Sequence, residues 1–216
     1  MTRAIVLVRG IFSSSKTWES LMSRMTGDED LADLSLVPFD YYSPRFRISP
    51  TRAIPDYDDV ALKLWTSLKL VFAEHDSVII IAHSQGGLIV QRMLAQQVGM
   101  GAAESLTPIH AIVLLACPNS GSELFLTLRR YVFLWRHPQE QALRPLDKAI
   151  ERTRSVVLQK VVYASEVTPA TCPIPIYAYA GESDGRSEVS IGFGPIHSYR
   201  RNGRRSLGHP TFRPHQ

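Results

Sequence analysis

Apolar residues fall in short runs separated by helical patterns. Four runs, Ala4–Val8, Ser77–Ala82, Ile109–Ala116 and Ile174–Ala180, are dense in β-branched side chains and lack alternation. That pattern predicts strands of a parallel sheet covered on both faces. A weaker fifth candidate is Leu34–Phe39, which runs through Pro38 and stops before Asp40. Between the runs, Trp18, Leu21, Met22 and Met25 share one helical face, as do Val60, Leu64, Leu68 and Val71, with Asp56 or Asp58 available as an N-cap. A third helix is predicted from Gly86 through Leu88, Ile89, Met93 and Leu94. Strands alternating with helices imply a doubly wound, mostly parallel α/β domain.

The stretch between Pro118 and Pro173 is longer than a simple crossover needs. It is expected to hold a helix around Glu123–Trp135 and another from Pro145 to Tyr163, forming either a cap over the site or a pair of crossover helices. The apolar residues Leu124, Phe125, Leu128, Phe133 and Trp135 fit the wall of a site or a core-facing helix.

The chain has 216 residues, 44% of them hydrophobic, which suits one domain and is too apolar for a disordered chain. No run of about 18 apolar residues exists, so no membrane-spanning helix is expected. The start, Met1-Thr2-Arg3 followed directly by a strand pattern, is unlike a signal peptide. Two cysteines, Cys117 and Cys172, make no disulfide framework, and a reduced, cytoplasmic protein is the expectation.

The net charge of +4 is unevenly placed. Residues 185–216 contain six arginines and a single acid, Glu188, a net of +5. Removing these from totals of 24 basic and 20 acidic residues leaves 18 and 19 in residues 1–184, a net of −1. A near-neutral domain over 1–184 is therefore expected, followed by a basic, poorly ordered tail over 185–216. The tail has seven apolar residues after Gly185 and no visible period. One reading makes it an arm for polyanions, but no nucleic-acid motif or stacking platform accompanies it, so no specific nucleic acid is expected. The other is a change of reading frame near Gly185, testable by translating the alternative frames.

The chemistry centres on Ile79-Ile80-Ile81-Ala82-His83-Ser84-Gln85-Gly86-Gly87-Leu88. A buried strand enters small-x-Ser-x-Gly and continues as an apolar-periodic helix, the context of a nucleophile elbow. The turn lifts the Ser84 hydroxyl above the sheet, small residues at Ala82 and Gly86 let backbones pass, and the helix start favours negative charge. Acyl transfer needs two N–H donors for its oxyanion. Gln85, just after the serine, supplies one. Ile11, in the loop Val8-Arg9-Gly10-Ile11-Phe12, is expected to supply the other, the alternative being a simple turn that caps the Lys16–Met25 helix.

Four segments in order carry a resemblance: Val8–Phe12, Ala82–Gly87, Ala116–Ser122 and Tyr179–Gly185. Over residues 3–185 the chain resembles the α/β-hydrolase superfamily, specifically lipase-like bacterial serine esterases. The resemblance implies an α/β-hydrolase fold, a Ser-acid-His triad in that chain order, a small-molecule or lipid ester as substrate, and no metal or organic cofactor. It places the acid at Asp184, with Glu182 as a substitute, and the base after it. Among His197, His209 and His215, His209 lies 25 residues past Asp184 in Leu-Gly-His-Pro-Thr-Phe and is the candidate. Its surroundings lack the apolar pattern of a last strand and helix, which leaves as the alternative a hydrolase-derived binding or vestigial module without catalysis. Position 9 also departs from the family, which usually has histidine there. His83 is read as a packing or site-wall residue, and Asn119 and Ser122 as turn and cap residues.

Overall fold

The computed structural model describes residues 2–10, 16–41, 57–117 and 144–179. They form strands β1 (Arg3–Val8), β2 (Leu34–Phe39), β3 (Ser77–His83), β4 (Ile109–Leu115) and β5 (Ile176–Tyr179). Helices α1 (Lys16–Thr26), α2 (Tyr57–Glu74), α3 (Gly86–Gly99) and α4 (Arg144–Val157) lie between them. All strand pairs are parallel, in the order β2-β1-β3-β4-β5. The register aligns Val8 with Phe39 and with Ala82, His83 with Leu115, and Leu115 with Tyr179, so the strands finish along one carboxyl edge.

The apolar runs become strands because alternate residues have hydrophobic partners on opposite faces. Ala4, Val6 and Val8 of β1, with Val78, Ile80 and Ala82 of β3, belong to the larger core. There they meet Leu64 and Leu68 of α2, Ile89 and Met93 of α3, and Val157 of α4. Ile5 and Leu7 face the other way, onto Trp18 of α1, with Ile79, Ile81, Leu34 and Leu36 packed around them. Helices on both sides of a parallel sheet make this a doubly wound α/β fold. Each fully buried leucine or methionine of the larger core contributes roughly 1.5–3 kcal/mol of burial.

Several expected boundaries move, each for a backbone reason. The fourth apolar run yields strand only from Ile176 to Tyr179. The amides of Cys172 and Ile174 instead donate to Lys160 and Val161, at 3.0 and 3.4 Å. The helix expected over 145–163 is α4, followed by a wider turn over Leu158–Val162 in which the Tyr163 amide reaches Leu158 O at 2.9 Å. Asp58 does not cap α2. The helix begins at Tyr57, and the Asp58 carboxylate, in its first turn, receives Nε and Nη2 of Arg92 on α3. Arg92 also reaches Thr153 of α4, at 3.4 Å, so this one guanidinium links three helices. Asp56, the helix expected over 123–135 and its apolar residues, Asn119, Ser122 and the tail over 185–216 lie outside the described residues.

Candidate active site at the carboxyl edge of the sheet

The β3–α3 junction holds Ser84 in the left-handed region, with φ 54°. A residue with a Cβ rarely occupies this region, at a cost of roughly 1–2 kcal/mol. The turn is held at both ends: the Ser84 amide donates to Leu115 O at 2.9 Å, and Ser84 O accepts from the Gly87 amide at 3.1 Å. Gln85 caps α3 in helical conformation, and its carbonyl accepts from Leu88 at 3.1 Å. The Gln85 N–H itself has no hydrogen-bond acceptor among the described residues.

Three glycines let neighbouring segments converge here. A Cβ on Gly86 would stand 2.4 Å from Val8 O and 2.9 Å from Arg9 O, so no other residue fits without displacing the end of β1. A Cβ on Gly87 would meet Cys117 Sγ at 2.5 Å and Cys117 Cβ at 2.8 Å. Gly10 packs against the turn from the other side: its Cβ position lies 3.3 Å from both Gln85 N and Ser84 Cβ. Gly10 thus lies close beside the Ser84–Gln85 peptide.

Arg9 is anchored away from this turn. Its Nη2 donates to Tyr41 O at 2.7 Å, its Nε to Asp40 Oδ1 at 3.4 Å, and its guanidinium lies 4.8 Å over the Tyr41 ring. Tyr41 returns a bond, donating its hydroxyl to Arg9 O at 3.1 Å. The sequence reading gave Tyr41 and Asp40 no role. Their only sequence signal is a position just past β2, the neighbour of β1.

His83 and Trp18 pack nearly perpendicular, with ring centroids 6.2 Å apart, and burial pushes the His83 imidazole below the ordinary histidine value. Among the described residues, its Nδ1, the Trp18 indole nitrogen and both side-chain amide atoms of the buried Gln85 have no hydrogen-bond partner. Cys117, after β4, donates its thiol to Ala82 O and Leu115 O at 3.5 and 3.4 Å, and burial pushes the thiol up to about 12. Among the described residues, no group of three His, Cys, Asp or Glu side chains could hold a metal ion. No described helix is long and apolar enough to cross a membrane.

Of the predicted site residues, Ser84 and Gln85 stand at this junction. Ile11, Asp184, Glu182, His197, His209 and His215 lie outside the described residues.

No curated protein matches the chain. Among solved structures, it is similar to ClbQ from the colibactin NRPS/PKS pathway, at 14% identity over 83% of this chain and 75% of that one, TM-score 0.43. It is also similar to a structure from work on carboxylesterases of the ammonia-oxidizing thaumarchaeon Nitrososphaera gargenis, at 17% identity over 85% and 73% of the two chains, TM-score 0.47. The model of the alpha/beta hydrolase family matches residues 5–203, reaching past Asp184 into the arginine-rich segment. With nearly the whole parallel sheet and its serine turn inside that match, the chain belongs to the alpha/beta hydrolase family.

Proposed function

We propose that the protein is a serine hydrolase that cleaves carboxylic esters. Family membership supports hydrolysis in general. The observation that carries the specific reading is the pairing of a left-handed Ser84 with an adjacent Gln85 N–H that has no acceptor among the described residues. A serine nucleophile needs that adjacent donor for the charge formed on attack.

In this mechanism Ser84 Oγ attacks the ester carbonyl while His209 removes the hydroxyl proton, and Asp184 orients and stabilises the imidazolium. The amides of Gln85 and Ile11 hold the tetrahedral oxyanion. Collapse expels the alcohol, which takes the proton from His209 and leaves an acyl group on Ser84. Water, deprotonated by the same histidine, then releases the acid. The substrate class is a small-molecule or lipid ester. No step requires a metal or organic cofactor.

The test is hydrolysis of p-nitrophenyl acetate and butyrate by wild type, Ser84→Ala and His209→Ala. The wild type should exceed Ser84→Ala by at least about 10³-fold, with His209→Ala similarly impaired. Equal rates for wild type and Ser84→Ala would overturn the assignment. They would instead support a hydrolase-fold protein without catalysis, a reading favoured by the missing apolar period around His209.

A further inference from the structure

We infer that Arg9 and Tyr41 are positioning residues, forming a latch that holds the Arg9–Gly10 backbone against the Ser84–Gln85 turn. The inference rests on the proposed role of that turn in holding an oxyanion.

The latch is reciprocal. The Arg9 guanidinium grips the backbone carbonyl of Tyr41 at 2.7 Å, and the Tyr41 hydroxyl grips the backbone carbonyl of Arg9 at 3.1 Å. Two main-chain oxygens just past the ends of neighbouring strands are thereby tied by two side chains, with the guanidinium stacked over the phenol ring at 4.8 Å. Tyr41 is itself buried and leans on Phe39, with ring centroids 5.6 Å apart, so the latch has a fixed base. The Arg9 carbonyl held by Tyr41 is the same oxygen that lies 2.9 Å from the Cβ position of Gly86. It is therefore clamped between the phenol and the first turn of α3. At the next residue, Gly10, a Cβ would stand 3.3 Å from both Gln85 N and Ser84 Cβ. Rotating the 9–10 peptide would move Gly10 relative to the Gln85 N–H. A donor stabilises an oxyanion only when it points at the developing charge, and small misplacements there cost large factors in rate.

The experiment compares wild type, Tyr41→Phe, Arg9→Met and Ser84→Ala in ester hydrolysis and in inhibition by phenylboronic acid, a tetrahedral mimic. Tyr41→Phe removes only the hydroxyl and keeps the ring. Its kcat should fall about 3- to 10-fold with KM within about 2-fold, and boronate affinity should weaken by the same factor as kcat. Arg9→Met should lose about 10-fold or more in both. A merely structural latch would lower Tm and leave kcat and boronate affinity per folded molecule unchanged, and that result overturns the inference. If Arg9→Met does not fold, Tyr41→Phe decides alone. An inactive Ser84→Ala beside unaltered latch variants sinks the latch and spares the hydrolase reading. A Ser84→Ala as active as wild type sinks both.

Discussion

A Cβ on Gly86 would lie 2.4 Å from the carbonyl oxygen of Val8, so the first residue of α3 and the last residue of β1 meet backbone to backbone. The neighbouring strand can approach the serine turn only because position 86 has no side chain. Gly86→Ala must push the end of β1 away, because the obstructing atom belongs to the main chain. Urea denaturation should show a loss of about 3 kcal/mol or failure to fold. A loss within about 0.5 kcal/mol would mean that the two backbones are further apart than described.

Gly87 faces Cys117 in the same manner, but there the obstacle is a side chain. Gly87→Ala should destabilise by about 1–3 kcal/mol. Adding Cys117→Ala removes the sulfur at 2.5 Å and leaves the Cβ at 2.8 Å, so it should restore part of the loss only. Full restoration in the double variant would contradict this packing.

Ser84 and Ala116 both take positive φ, 54° and 48°, where the chain leaves β3 and β4. Glycine adopts this conformation without the Cβ penalty. Ser84→Gly should therefore be more stable than Ser84→Ala by about 1 kcal/mol, although both lack the hydroxyl. Ala116→Gly should stabilise by a similar amount. The check is the difference in urea midpoint, and equal midpoints for the two Ser84 variants would argue against a left-handed turn.

Burial lowers the His83 imidazole from its ordinary 6.5. Between the folded value and 6.5 the unfolded chain binds the proton and the folded chain does not. Stability from this group is therefore fully present above 6.5 and falls as pH drops through that window. His83→Gln should flatten the decline in urea midpoint between about pH 7 and about pH 5. An unchanged slope would show that His83 titrates alike in both states.

The Cys117 thiol, pushed up to about 12 by burial, is protonated at neutral pH and packed against Gly87. Only the thiolate reacts with a disulfide reagent. The Cys172→Ala protein should thus react with Ellman's reagent at about pH 8 at a rate limited by unfolding, and rapidly in urea. Rapid labelling of the folded protein would contradict the burial.

Strand and helix positions were legible because burial follows local pattern. The runs around Ile5, Ile80 and Ile112 are apolar without alternation, and a parallel sheet with helices on both faces is the architecture that buries every residue of such a run. The turn at Ser84 was legible for a related reason: small residues at 82 and 86 flank a serine where strand period changes to helix period. The proposed triad acid and base came from resemblance alone, since no local pattern surrounds Asp184 or His209.

What local pattern could not supply was the partner of each polar group. Asp58 has the composition of a cap, yet its carboxylate is taken by Arg92, 34 residues away. Ile174 has the side chain of a strand residue, yet its amide turns to Val161. Arg9 read as a departure from a family motif until strand order put β2 beside β1 and brought Tyr41, 32 residues on, within 2.7 Å of its guanidinium. Hydrophobic burial depends on how much apolar surface leaves water and can be read along the chain. A hydrogen bond depends on angle and distance to one particular atom, and only the assembled sheet decides which atom that is.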